Sequence, residues 1–84
     1  MSPLPRNSIV VTRTPLYDHR GELVPRGAVG AIVLVRVSRS GYEDDTYEVE
    51  VFGEGGRGRR IFTATSAELE LISTPTEEVG SAYG

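Results

Sequence analysis

The stretch Pro25-Arg26-Gly27-Ala28-Val29-Gly30-Ala31-Ile32-Val33-Leu34-Val35 constrains this chain more than any other. Two glycines three apart lead directly into a β-branched run. Glycine tolerates positive φ and lets backbones approach closely, so the pair reads as a tight turn and bulge that launches a strand. Small, strongly bent sheets need that device at their corners. The near-continuous apolar character of residues 30–38 predicts a strand buried on both faces.

Eighty-four residues make one domain, and a core of that size is marginal. The chain has no cysteine, so neither a disulfide nor a thiolate metal site supports it. The remaining supports are a well-closed sheet or oligomerisation. No apolar segment is long enough to span a membrane, and the first residues lack the charged-then-apolar pattern of a secretory signal. The expectation is a cytoplasmic protein with no membrane partner. The net charge of −3 argues against a dedicated nucleic-acid binder. All nine basic residues are arginine, which fits a GC-rich genome before it fits selection for bidentate anion contacts.

Residues 1–7 carry two prolines and read as an extended arm. Residues 8–12 form a first strand by β-propensity. Residues 13–25 form a long loop, with Tyr17 and Leu23 expected to pin it or to bind. Residues 30–38 are the second strand, followed by a turn through Glu43-Asp44-Asp45. In Tyr47-Glu48-Val49-Glu50-Val51-Phe52 the alternation is strict, with Tyr47, Val49 and Val51 inward and Glu48 and Glu50 outward. The glycines of residues 53–58 predict a hairpin loop. A fourth strand covers residues 60–65, a single 3₁₀ turn capped by Ser66 covers 66–68, and a fifth strand covers 69–72. From residue 74 to 84 the chain is small and polar, and disorder is expected. This order describes an all-β domain over residues 8–73. It is a five-stranded SH3-like barrel with a long first loop and a 3₁₀ turn before the last strand.

The residues Gly27, Val29, Gly30, Ile32 and Val33, then Tyr47 to Phe52, Gly58 and Arg59, Thr63 and Thr65, and Glu68 to Leu71 resemble a bacterial family of unknown function with an SH3-like barrel. The resemblance covers about residues 8–72. Similar patterns occur in KOW-type ribosomal and transcription-factor domains. They occur also in the β-barrel subunits of photosystem I, ferredoxin–thioredoxin reductase and nitrile hydratase. The resemblance implies a barrel and carries no catalytic residue, because this superfold hosts many unrelated roles.

Candidate chemistry is sparse. His19, the lone histidine, stands between Asp18 and Arg20; Asp–His adjacency suits general-base work or a metal, but no second ligand completes a site, and a solvated loop histidine is the preferred reading. Glu43, Asp44 and Asp45 lack the alternating ligand positions of a calcium loop and read as a solvated turn. Arg57, Arg59 and Arg60 on the glycine-rich hairpin could embrace a phosphate, though the loop is not a Walker loop. Protection of a sheet edge against aggregation is the preferred alternative. Without Trp or the acidic loop of a polyproline-binding domain, Tyr47 and one phenylalanine read as core.

The expectation is therefore a small non-catalytic protein–protein interaction module or accessory subunit, one partner of a two-gene pair of the immunity or antitoxin kind included. Its contact surface would comprise Tyr17, His19, Arg20, Arg57, Arg59 and Arg60. No catalytic, metal or cofactor residues are assigned and no cofactor is expected. The alternatives are a KOW- or Tudor-like nucleic-acid-binding barrel, with Glu48 and Glu50 set against it, and a β-barrel subunit of a larger enzyme. Val29, Ile32, Val49, Val51, Ile61 and Leu69 are expected in the core. Gly27 or Gly30 is expected in a conformation costly for other residues. A homo-oligomer is expected to form through residues 9–11 and the arm.

Overall fold

The computed structural model describes residues 3–53 and 59–75; the hairpin loop at 54–58, which holds Arg57, and the polar tail from 76 lie outside the described residues. The described chain is all-β. It runs β1 (Ile9–Thr12), β2 (Leu16–Tyr17), β3 (Leu23–Val24), β4 (Val29–Arg36), β5 (Thr46–Val51), β6 (Ile61–Thr65), a 3₁₀ turn (Ser66–Glu68) and β7 (Leu69–Ser73). Five strands form one antiparallel sheet in the order β6-β5-β4-β1-β7, and β2 and β3 form a separate two-stranded hairpin. The 3₁₀ turn therefore carries the chain from one edge of the sheet to the other. Among the described residues no ladder joins β6 to β7, so the sheet is not closed into a barrel.

Period-two alternation decides what each face of this sheet holds. On the inner face, Ile32, Val49 and Phe62 align across three strands, and Val35, Tyr47 and Ala64 form the next row. Val10, Val24, Ile32, Tyr47, Val49, Phe62, Ala64 and Leu69 are the buried core. Tyr47 and Phe62 enter it as the expected aromatic pair. Each large side chain removed from water there contributes roughly 1.5–3 kcal/mol.

Two expected core residues lie elsewhere. Val29 is three positions before Ile32 with no bulge between them, so it must face the other way, and it is 37% exposed. Ile61 precedes the inward Phe62 and is only partly buried on the outer face. Val51 packs against the core without being fully enclosed. β4 is not buried on both faces as its composition suggested: after a bulge between Ile32 and Leu34, Leu34 points outward and is 44% exposed.

The long excursion between β1 and β4 covers the inner face. Its anchors are Leu16 and the fully buried Val24, which pair with each other, whereas the neighbouring pair Tyr17 and Leu23 is exposed. The pins are thus one residue out of phase with those expected. Thr12 closes the base of the excursion. Its Oγ1 donates to Pro25 O (2.9 Å) and accepts the Ala28 amide (3.0 Å), while the Gly27 amide donates to Thr12 O (2.9 Å). At the N-terminal side, Leu4 packs on the core and its amide donates to the Tyr47 hydroxyl at 3.0 Å. The 3₁₀ turn occupies its expected place, but Thr65 rather than Ser66 is the N-cap, with its amide donating to Glu68 Oε1 at 2.9 Å.

Both launching glycines are required, for different reasons. Gly27 has φ +89°, with open space where a Cβ would stand. Gly30 has an ordinary φ, but a Cβ there would lie 2.4 Å from Glu50 O and 2.9 Å from Val49 Cγ1. Backbone cannot yield as a flexible side chain can. Gly30→Ala is expected to cost about 3 kcal/mol or more, and Gly27→Ala about 1–2 kcal/mol. Urea denaturation of the two variants checks the order; equal losses would mean that the β4–β5 contact is looser than described.

Candidate functional site

The excursion brings the tip of its hairpin against the edge of the large sheet. Asp18 forms an isolated bridge with Phe62, and the His19 amide donates to Ile61 O at 2.9 Å. A buried ion pair fixes this docking: Arg60 Nε donates to Asp18 Oδ2 at 2.9 Å, and Arg60 Nη2 donates to Leu23 O at 2.8 Å. Asp18 Oδ1 accepts the amides of Arg20 and Glu22, both at 2.9 Å. Arg60 is therefore a structural tie between β6 and the hairpin. Arg60, read in the sequence as part of a hairpin that guards a sheet edge in preference to embracing a phosphate, is committed here to Asp18.

A second polar group sits on the outer face one strand further in. Leu34, Glu48 and Thr63 form a row across β4, β5 and β6. Glu48 faces outward as expected, yet its side chain is only 9% exposed, because Arg36 and His19 lie over it. Arg36 Nη1 and Thr63 Oγ1 both donate to Glu48 Oε2, the latter at 2.9 Å. His19 Nε2 lies 3.0 Å from Thr63 Oγ1 and 3.0 Å from Glu48 Oε1. Thr63 uses its proton on Glu48, so the bond between His19 and Thr63 requires the proton on His19 Nε2. Glu48 Oε1 is buried and receives no hydrogen bond. His19, expected to be a solvated loop residue, instead rests half-exposed on the sheet as a link between hairpin, β5 and β6.

The neighbouring part of the outer face carries a row of apolar side chains. Val11 and Val29 pair across β1 and β4, and the Phe52 amide reaches Val29 O at 2.9 Å. The next row is Ile9, Ala31, Glu50 and Ile61. Phe52 is 49% exposed. Within this field Glu50 is held by Arg59, whose Nε is 3.1 Å from Glu50 Oε2. Arg36, Arg59 and Arg60 are thus each bonded to a carboxylate, Glu48, Glu50 and Asp18 respectively. The carboxylates Glu48 and Glu50, expected to repel a duplex, are correspondingly neutralised.

Of the expected contact residues, the structure brings together His19, Arg59 and Arg60 around β5 and β6, and leaves Tyr17 and Arg20 exposed on the hairpin. Arg57 lies outside the described residues. The sequence reading missed Arg36, Thr63 and the apolar row Val11, Val29 and Phe52. Their strict alternation with core residues is the signal that locates them. The acidic turn is solvated at Glu43 and Asp44, while Asp45 Oδ1 accepts the Ser38 amide at 2.8 Å. Among the described residues no group of three His, Asp or Glu side chains is placed to hold a metal.

The electrostatics of both clusters run in one direction. The Glu22 amide holds the Asp18 carboxyl below its ordinary value of 3.8; burial opposes this, and Arg60 and the Arg20 amide add to the lowering. Burial pushes the Glu48 carboxyl up, but Arg36, Thr63 and His19 outweigh it and leave it below its ordinary 4.5. Groups depressed in the folded chain stabilise it fully above their unfolded pKa, and that contribution is lost as pH falls through the folded value. The thermal midpoint is therefore expected to fall as pH drops below about 4. Asp18→Asn should melt lower at neutral pH and show a shallower acid decline. Parallel melting curves for the two proteins would remove Asp18 from the account.

Comparison with family models, with curated proteins and with solved structures finds no match to this chain.

Proposed function

We propose that this chain is a non-catalytic protein-interaction module with SH3-like topology, and that a partner protein covers the outer face of its five-stranded sheet. The connectivity supports the topology: a hairpin excursion separates the first two sheet strands, three strands follow in a meander, and a 3₁₀ turn leads to the last strand at the opposite edge.

The observation that carries the function is the apolar row of Val11, Val29 and Phe52, continued by Ile9, Ala31, Ile61 and Leu34. Antiparallel sheets with one solvated face normally place polar side chains there. A face that is apolar in both β1 and β4 is suited to burial, and contiguous exposed apolar surface marks interaction sites. Two of the charges on this face are paired, Glu48 with Arg36 and Glu50 with Arg59, and Glu70 stands at its rim beside Val11. The complementary partner surface is accordingly apolar and uncharged at its centre, with polar groups at its rim.

The same pairing weighs against the nucleic-acid reading. Phosphate binding draws its affinity from cationic groups that release counterions, and these arginines are engaged by carboxylates.

A photo-crosslinking residue in place of Val29, introduced in the native host, tests the proposal. A discrete adduct with another protein is expected, absent when the crosslinker replaces Tyr42 and absent when Phe52→Glu is added. Phe52→Glu alone should shift the thermal midpoint by only a few degrees, because the side chain is half-exposed. No adduct, or micromolar and salt-sensitive binding of labelled DNA or RNA, would overturn the proposal.

A further inference from the structure

Two features expected at a subunit contact are taken up by the fold: β1 is enclosed between β4 and β7, and the arm is fastened to the core by Leu4. One buried polar atom is not taken up. Glu48 Oε1 receives no hydrogen bond, although the side chain that carries it is only 9% exposed. A buried acceptor without a donor is costly, and such an atom in a folded chain calls for an explanation.

The bonds around it show why it is left over. Arg36 and Thr63 both donate to the other oxygen, Oε2. His19 Nε2 stands 3.0 Å from Oε1, but it is also 3.0 Å from Thr63 Oγ1. A ring nitrogen carries one proton, and Thr63 takes it, because the Thr63 hydroxyl has spent its own on Glu48. In the other tautomer the Nε2 lone pair faces Oε1 and Thr63 Oγ1, and no proton is left to join them. A cation set between Nε2 and Oε1 answers the lone pairs of both.

We propose that His19 Nε2 and Glu48 Oε1 form a site for a divalent cation of the zinc kind. Zinc bonds imidazole nitrogen and carboxylate oxygen at about 2.0–2.2 Å, which sets two adjacent ligands about 3 Å apart. The observed separation of 3.0 Å fits this without movement of either segment. The pair also selects the ion, since imidazole suits zinc and its neighbours, whereas calcium and magnesium take oxygen ligands. On binding, the ion takes Nε2 and the ring keeps its proton on Nδ1. Arg36 and Thr63 hold Oε2 and so turn Oε1 towards His19, the supporting role that outer partners play at metal centres. The Arg36 guanidinium opposes a second positive charge, so the affinity is modest. His19 is half-exposed, and water completes the coordination from that side. The ion then clips the tip of the excursion to β5. The sequence offers His19 no second ligand; the fold supplies one. The site does not rest on the partner proposed above.

Titration of the full chain with zinc chloride tests the site. The chain has one histidine and no cysteine, so a single imidazole reports on it. Calorimetry should show saturable binding. In the imidazole nitrogen spectrum, Nε2 should move to the position of a metal-bound nitrogen while Nδ1 stays protonated. His19→Ala and Glu48→Gln should each weaken binding at least about tenfold. Magnesium at the same concentration should leave the His19 signals in place. Glu43→Gln with Asp44→Asn on the acidic turn, and separately Phe52→Glu on the partner face, should keep the zinc affinity of the natural chain. Should Glu48→Gln fail to fold, the nitrogen spectrum of the natural chain decides alone. Coordination through Nδ1, His19 signals that zinc does not move, affinity retained in His19→Ala, an equal response to magnesium, or affinity lost with the acidic turn or with Phe52→Glu would each overturn the site.

Discussion

A five-stranded sheet has two faces, and the described residues of this chain close one of them. β1 and β4 alternate between side chains that are apolar on both sides, so neither face is designed for water. The excursion from residue 13 to residue 28 and the Leu4 arm close the inner face, while Val29 and Phe52 on the outer face stay exposed. The hydrophobic effect is indifferent to whether the covering atoms belong to the same chain. The exposed apolar residues of the outer face are the basis of the association proposed for this chain.

The ties that hold the excursion decide which face is closed. Thr12 bonds to both Pro25 and Ala28 at its base, and Asp18 with Arg60 fixes its tip to β6. Each tie joins segments distant in sequence. Each uses groups that are expensive to bury alone: removal of one partner would leave an uncompensated donor or charge, so the pairs specify the docking as much as they stabilise it. Glu48 shows the same logic on the outer face. Its carboxylate is buried only because Arg36, Thr63 and His19 converge on it. Positive charge that could have faced a phosphate is thereby absorbed into the scaffold.

The local features of this architecture are legible in the sequence. The alternation of residues 47–51, the launching glycines and the 3₁₀ turn at 66–68 depend on near neighbours, and they stand where the residue pattern places them. Phase was harder to read. Val29 and Ile32 look alike in an apolar run, and only their odd separation assigns them to opposite faces. In the excursion, Leu16 and Val24 rather than Tyr17 and Leu23 turn inward, because a short hairpin carries too few residues to display a period. The polar partnerships were beyond reach of composition. Arg36 meets Glu48 across 12 positions and Arg60 meets Asp18 across 42, and such pairs follow from strand register alone. An arginine that seems available in the sequence is thus held by an acid that the topology supplies.

On the function proposed above, the outer face is open in the isolated chain. Methyl-labelled protein in dilute solution, titrated with a soluble paramagnetic agent, measures this residue by residue. Strong broadening is expected at Val29 and Leu34, which are exposed, with the buried Ile32 and Val49 unaffected. Methyl groups of Val29 and Leu34 as well shielded as those of Ile32 would contradict it, for the chain would then cover both faces of its sheet by itself.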